Sequence, residues 1–391
     1  MPTIDLVWFN AGGGHRAAAQ ALEQVMLAQG RPWRVRKVNL TEVLDPTALF
    51  KRITGIEPED IYNKRLATGF TVGLAQELKL LQGLIRLGHA TLVQRLARHW
   101  HATQPDLVVS LVPNFNRCLH DSLRQARPGV PVPFVTVMTD MADHPPAFWI
   151  EPGLDQHLVC GTAHAVQQAL AAGCDPQRVH ATSGMILRPE FYFGARMDGH
   201  GDRRAERLRL GLDAATPTGL VLFGGTGSRV MKRIADRLPT TPLILMCGRN
   251  ETLADELRRQ RCDAPRVVVG HTPDVARWMG LADFFIGKPG PGSLSEAVHC
   301  GLPVIVTRNA GTMPQERWNT QWVQQHGLGV VHRSFGTVQQ AVDTLLQALP
   351  EFRTRVQAID NQAVFEVPRI LARLLAQRAA RPAAAATASS H

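Results

Sequence analysis

The 391-residue sequence is poor in features of a membrane-spanning, secreted or metal-stapled protein. No stretch approaches the roughly 18 uninterrupted apolar residues that a membrane-crossing helix needs, so any membrane role is expected to be peripheral. The six cysteines, Cys118, Cys160, Cys174, Cys247, Cys262 and Cys300, form no C-x-x-C pair, and no histidine cluster stands at zinc spacing. They read as small buried hydrophobes in a reducing cytosol. The opening MPTIDLVWFNAGGGH has no basic segment followed by an apolar one, and reads as a first β-strand rather than a signal peptide. There is no recognition-helix, zinc-finger or aromatic RNA-binding signature, which sets nucleic acid aside as a partner.

What is present is enough apolar material, 45% of residues, for a large core without staples. The length suits about two or three domains. Net charge is +10, from 43 Lys and Arg against 33 Asp and Glu. Residues 1–185 hold 17 basic and 15 acidic side chains, and residues 186–391 hold 26 and 18. The excess therefore lies in the second half, where it favours an anionic ligand.

Strand-like apolar runs alternate with helix-like segments. Thr3–Phe9, Trp33–Asn39, Asp106–Leu111, Pro133–Thr139 and His157–Cys160 form one series. Leu220–Phe223, Leu243–Cys247, Arg266–Val269, Phe284–Ile286 and Pro303–Val306 form a second. Short runs alternating with helices imply parallel sheets covered on both faces. Two series imply an α/β protein of two doubly wound, Rossmann-like domains. The polar stretch 194–216 is expected to be a linker between a domain over 1–193 and one over 217–352. A helical segment over 353–378 should return toward the first domain, and 379–391 should be a disordered tail. Residues 60–100 are Leu-rich and helical in period, with Lys64, Arg65, Lys79, Arg86, Arg95 and Arg98 interleaved. They suit helices covering the sheet, or an apolar surface with a cationic rim that touches a membrane.

Four motifs could carry chemistry. Asn10-Ala-Gly-Gly13-Gly14-His15 follows the first strand and opens a helix. Glycines let the backbone approach a ligand, and an imidazole at the carboxyl edge of the sheet can take a hydroxyl proton near neutrality. Phe223-Gly224-Gly225-Thr226-Gly227-Ser228 repeats the arrangement in the second half and suits a phosphate cradle. Gly287-Lys-Pro-Gly-Pro-Gly292-Ser293-Leu-Ser-Glu296 carries a turn into a helix. Ser293 and Glu296 match a capping box, or amides for a diphosphate and a carboxylate for ribose hydroxyls. Pro314-Gln315-Glu316 offers acceptors and donors for sugar hydroxyls.

Taken in this order, the motifs resemble those of GT-B glycosyltransferases of family 28. The resemblance is to the monogalactosyldiacylglycerol synthase and processive diacylglycerol glucosyltransferase group. It covers residues 4–375 and rests on GGGHRAAA, FVTVMTDMADHPPAFWIEPGLD, GGTGS, MCGRNETL and GKPGPGSLSEAVHCGLPVIV. It implies two Rossmann-like domains facing an interdomain cleft. It implies an inverting transfer of galactose or glucose from a UDP-sugar to a lipid, diacylglycerol foremost, with His15 as the base. Gly225, Thr226, Gly227, Arg249, Asn250, His271, Thr272, Gly292, Ser293, Glu296, Gln315 and Glu316 match nucleotide-sugar positions. Gly13, Gly14, Asp140, His144 and Trp149 match the acceptor side. No D-x-D motif occurs, which fits metal-independent chemistry with no metal ligand and no cofactor beyond the UDP-sugar co-substrate. The implied place of work is the inner face of the cell membrane, bound peripherally to anionic lipid. Two departures stand out: Asn10-Ala11 before the glycines, and Pro314 before Gln-Glu.

Rival readings use the same architecture. A UDP-N-acetylglucosamine 2-epimerase needs no acceptor. An N-acetylglucosaminyltransferase would use a polyprenyl-linked one. A non-catalytic module would bind a nucleotide sugar or a membrane without turnover. Oligomeric state is left open.

Overall fold

The computed structural model describes residues 1–10, 13–45, 74–144, 147–193 and 200–387. Ala11 and Gly12 of the first glycine loop, residues 60–73 of the Leu-rich stretch, 194–199 of the expected linker and 388–391 of the expected tail lie outside the described residues.

The apolar runs form two parallel sheets of six strands each among the described residues. The first unit contains β1 (Thr3–Trp8), α1 (Gly14–Ala28), β2 (Arg34–Asn39), α2 (Leu40–Leu44), α3 (Leu74–Leu87), α4 (His89–Thr103), β3 (Leu107–Ser110), α5 (Asn116–Ala126), β4 (Phe134–Val137), β5 (His157–Cys160), α6 (Ala163–Ala171) and β6 (Val179–Ala181). Its strand order is β2-β1-β3-β4-β5-β6. The second unit contains α7 (Glu190–Phe193), α8 (His200–Arg209), β7 (Gly219–Leu222), α9 (Val230–Arg237), β8 (Leu243–Met246), α10 (Glu251–Arg259), β9 (Arg266–Val269), α11 (Val275–Leu281), β10 (Phe284–Gly287), α12 (Pro291–His299), β11 (Val304–Thr307), α13 (Arg317–Gln325), β12 (Gly329–His332), α14 (Val338–Gln347) and α15 (Leu349–Gln357). Its order is β12-β11-β10-β7-β8-β9. The last helix, α16 (Ala363–Thr387), belongs to the first unit and packs on α1.

Central strands such as β3, β4, β7, β8, β10 and β11 are buried along their whole length. That is why they read as continuous apolar runs rather than alternating ones. The helices bury one stripe each. In α1 this is Ala18, Ala19, Ala21, Leu22, Val25 and Met26, at three- and four-residue spacing. Each fully buried Leu, Ile, Val or Phe is worth roughly 1.5–3 kcal/mol, and tens of them line the two cores. The edge strands β6 and β12 are additional to the ten runs read from sequence. Val-His-Ala and Gly-Val-Val-His are short and half exposed, so neither carries an apolar run.

The expected linker differs from its polar reading. Its described part includes α8, whose Arg207 is 1% exposed. Arg207 donates Nη1 to Asp283 Oδ2 at 2.7 Å and Nη2 to Thr216 O, Thr218 Oγ1 and Asp213 O at 2.6–2.8 Å. Arg203 and Arg353 share the other Asp283 oxygen. Burial alone would raise the Asp283 carboxyl, but its bonds to Arg207 and the Thr218 amide and the charges of Arg207 and Arg203 hold it below its ordinary range. The charges of this stretch therefore anchor it to the second unit, just ahead of β10.

Beyond the second unit, α16 is tied into the first. Glu366 accepts the Ser183 amide at 2.8 Å, and Arg378 donates to Asp106 O at 3.0 Å. The return begins later than the expected 353: residues 353–361 belong to the second unit, and α16 runs from Ala363 to Thr387, into the Ala-rich stretch read as tail. Alanine is the strongest helix former, which outweighs low complexity there.

Candidate functional site

In both units the chain reverses its direction of travel across the sheet at one place. In the first it lies between β1 and β3, and in the second between β7 and β10. Ligands of open α/β sheets bind outside the carboxyl ends of strands at such reversals. The motif loops leave those ends.

In the first unit, α1 starts after Gly13, a left-handed residue (φ 79°), and carries His15 in its first turn. His15 Nδ1 lies 2.7 Å from Leu111 O, just past β3, and 3.0 Å from Thr139 Oγ1, just past β4. Phe9 stacks on the ring at 4.5 Å, and Trp149 stands 5.9 Å away. A carbonyl can only accept, so Nδ1 carries the proton and Nε2 is the nitrogen left to take one. Burial lowers the His15 pKa to about 4, against the opposing effect of the Leu111 bond. The ring is therefore neutral at pH 7. Gly14 has nothing within 4 Å of where a Cβ would stand.

The loop after β4 supports this ring. Asp140 is buried and accepts the Trp149 indole N–H at 2.9 Å. Asp143 accepts the amides of Trp149 at 2.6 Å and Ala147 at 3.1 Å, and Gln168 clamps both its N–H and its carbonyl. Burial raises the Asp143 carboxyl to about 6 despite its backbone bonds. Ala147 and Asn114 both adopt φ 65°, and Gln82 bonds both, to Asn114 Oδ1 and Ala147 O. Such strained residues persist only where the surroundings over-determine them. His144 is half-buried in the same loop.

In the second unit, the loop after β7 leans on the one after β8. Arg249 N donates to Gly225 O at 2.9 Å, and Gly248 (φ 57°) sits so close that a Cβ there would lie 2.2 Å from Gly225 O. The same test at Gly227 gives 2.7 Å to Cys247 O, whereas Gly225 has open space. Thr226 and Arg249 are exposed. Asn250 Oδ1 caps α10 through Leu253 N at 3.0 Å, and its amide N–H groups can donate to a ligand. Thr272 accepts from Asp274 N ahead of α11, and His271 is exposed beside it.

The loop after β10 decides between the two readings of Ser293 and Glu296. The N-cap of α12 is Gly290 and Pro291 is its first residue, so Ser293 is the third and Glu296 lies a turn further in. No capping box forms. The first amides have no side-chain cap, and Gly292 faces open space. Uncapped amides at a helix start favour an anion. Gln315 and Glu316, expected to offer sugar contacts, are instead 5% and 4% exposed. Glu316 Oε1 accepts from Lys288 Nζ at 2.9 Å, and the buried Asn319 donates Nδ2 to Pro289 O at 2.7 Å. Sequence reasoning gave no role to Lys288, Asn319, Thr139 or Asp143. Lys288, Thr139 and Asp143 stood inside the quoted motifs, and their partners elsewhere were the missing information.

The family model described as monogalactosyldiacylglycerol (MGDG) synthase matches residues 15–185, a span that begins at His15. A probable monogalactosyldiacylglycerol synthase 2 of rice (Oryza sativa subsp. indica) is 30% identical over 237 residues, 58% of this chain and 48% of the relative. Monogalactosyldiacylglycerol synthase 3 of Arabidopsis thaliana is 26% identical over 353 residues, 85% of this chain and 71% of the relative. The match thus spans about half the length of the rice protein. Among solved structures, MurG of Acinetobacter baumannii aligns with a TM-score of 0.57 at 13% identity, covering 95% of this chain and all of that one. At that identity the likeness concerns the fold.

The chain has the GT-B fold and resembles the monogalactosyldiacylglycerol synthases. The family match covers the His15 and Trp149 loops, while the glycine loops of the second unit lie beyond it.

Proposed function

We propose that the protein is an inverting glycosyltransferase that moves a hexose from UDP-galactose or UDP-glucose to a lipid hydroxyl, with diacylglycerol as the acceptor. The observation that carries this reading is His15, a neutral imidazole whose Nδ1 is bonded to a backbone carbonyl, so that Nε2 faces its task unprotonated. The acceptor oxygen attacks the anomeric carbon and passes its proton to Nε2. The bond from that carbon to the diphosphate breaks, and UDP leaves with the electron pair. Gly13, Gly14, Asp140, His144 and Trp149 serve the acceptor side. Gly225, Thr226, Gly227, Arg249 and Asn250, with Gly292 and Ser293, serve the diphosphate. Glu296 serves the ribose, His271 and Thr272 the base, and Gln315 the sugar. No metal is needed, because uncapped amides and cations meet the charge that develops on UDP.

A membrane-bound acceptor is supported by α3. Leu80, Leu84 and Leu87 lie on one stripe and are 57–87% exposed, with Leu81 beside them and the exposed cations Lys79 and Arg86 at their margin. Such a face binds an anionic bilayer peripherally. No helix among the described residues is long and apolar enough to cross one.

The test is a grid of UDP-galactose, UDP-glucose and UDP-N-acetylglucosamine against lipid acceptors, with mass detection of products. Glycolipid formation with diacylglycerol is expected. His15→Ala should lower kcat by about 10²–10⁴-fold. Undiminished turnover in His15→Ala removes the base. A changed sugar nucleotide without any acceptor makes the protein an epimerase instead.

A further inference from the structure

The nucleotide reading accounts for the glycine loops but leaves Lys288 without a part. Lys288 follows directly on the last residue of β10, at the point where the strand order of the second sheet reverses. Its side chain is about one-third exposed, and its ammonium is held by Glu316, whose side chain is nearly enclosed. Glu316 occupies one of three N–H donors on Lys288. The turn that carries Lys288 into α12 is stiff, because the wholly buried Asn319 grips Pro289 O. A Cβ on Gly290, the N-cap of α12, would stand 3.5 Å from the Lys288 nitrogen and 3.3 Å from Glu316 Oε1.

Glu316 neutralises Lys288 beside the positive end of α12, so the pair brings no net negative charge to the uncapped amides, and two N–H donors of the ammonium stand beside them. The position makes sense when an anion comes to lie between the ammonium and the uncapped amides of α12. Two sets of donors side by side suit a group with oxygens on two phosphorus atoms.

We propose that Lys288 donates to the diphosphate of the nucleotide sugar and to the departing UDP, and that Glu316 is the positioning residue that aims it. The assignment rests on the donor reading given under Proposed function. When the anomeric bond breaks, the electron pair stays on the β-phosphate oxygen. Lys288 keeps its proton and meets the new charge through an N–H. Glu316 is thereby a partner of Lys288 before it is a sugar contact.

The experiment compares equilibrium binding of UDP, UMP and uridine, and steady-state transfer, for the wild type, Lys288→Gln, Lys288→Arg and Glu316→Gln, each with a thermal melt. A charge-assisted bond lost from a phosphate should weaken UDP roughly 10- to 100-fold in Lys288→Gln. UMP and uridine should change less than about threefold, because the bond lost is to the second phosphate. Lys288→Arg should recover most UDP affinity, and Glu316→Gln should lower kcat more than it raises KM for the donor. Wild-type UDP affinity in Lys288→Gln overturns the assignment and leaves the glycosyltransferase reading standing. Equal weakening of all three ligands with a lowered melt makes the pair structural and also overturns it. A wild type that binds none of them overturns the donor reading, and this inference with it.

Discussion

His15 Nδ1 stands 2.7 Å from the carbonyl oxygen of Leu111, joining the first turn of α1 to the loop after β3 across the reversal of the first sheet. One bond thus sets the tautomer of the ring, its orientation and the place where a substrate hydroxyl would meet Nε2. Phe9 and Trp149 add burial, and burial disfavours the protonated ring.

The pH profile of transfer should record that burial. The His15 pKa lies at about 4, below the ordinary value of 6.5, so the base form persists as the medium is acidified through 6. The acid limb of kcat/KM should therefore fall well below 6.5. An acid limb at 6.5 or above, measured with a lipid acceptor of constant ionisation, removes burial as the control on this base.

The open glycines predict a split between stability and binding. Gly292 lies in the first turn of α12 with no neighbour within 4 Å of a Cβ. Alanine should stabilise that helix by up to about 1 kcal/mol. It should also occupy the space a phosphate needs against the amides, so UDP affinity should drop while the melting temperature holds or rises. Gly248→Ala is the contrast: a left-handed residue whose Cβ would press on Gly225 O should lose the fold of the loop itself. Unchanged UDP affinity in Gly292→Ala would place the diphosphate elsewhere.

Asp283 should be a centre of stability for the second unit. It holds Arg207, Arg203 and Arg353 together. Leucine in its place leaves the buried Arg207 uncompensated, at a cost of about 3–5 kcal/mol. The Asp283 pKa is held low, so its contribution is present above the ordinary carboxyl range near 4 and is lost as pH falls through the lowered value. Urea titration of the wild type and Asp283→Leu from pH 7 down to pH 3 should show the gap narrowing at the acid end. A gap that is small at pH 7 refutes the anchor.

These cases show what was legible in the sequence. The two parallel sheets were, because central strands bury both faces and leave unbroken apolar runs. Of the four edge strands, β6 and β12 were not, because they are short and half exposed. The glycine turns and His15 could be placed at strand ends from the text alone. Arg207 could not, since a charged side chain reads as solvated until its partner, Asp283, is found 76 residues away. Lys288 and Glu316 likewise stand in separate motifs 28 residues apart, and only folding makes one group of them. The capping-box reading of Ser293 failed for a related reason: the N-cap of α12 is Gly290, three residues ahead of the serine.

Asp143 offers the last test, of the loop that carries Trp149. Its carboxyl accepts the Trp149 and Ala147 amides, yet burial raises its pKa to about 6, above the ordinary value of 3.8. The folded state thus holds a proton that the unfolded chain has already released in this interval. Stability owed to Asp143 is therefore full below the ordinary value and is lost as pH rises through the raised one. Asp143→Asn removes that titration while keeping an oxygen that can accept one amide. Denaturant titrations of both proteins between pH 4 and pH 7 should show the stability of the wild type, relative to Asp143→Asn, declining up to about pH 6 and then levelling. A difference that does not vary over that range means the carboxyl titrates at its ordinary value, and the loop around Trp149 is then held without regard to pH.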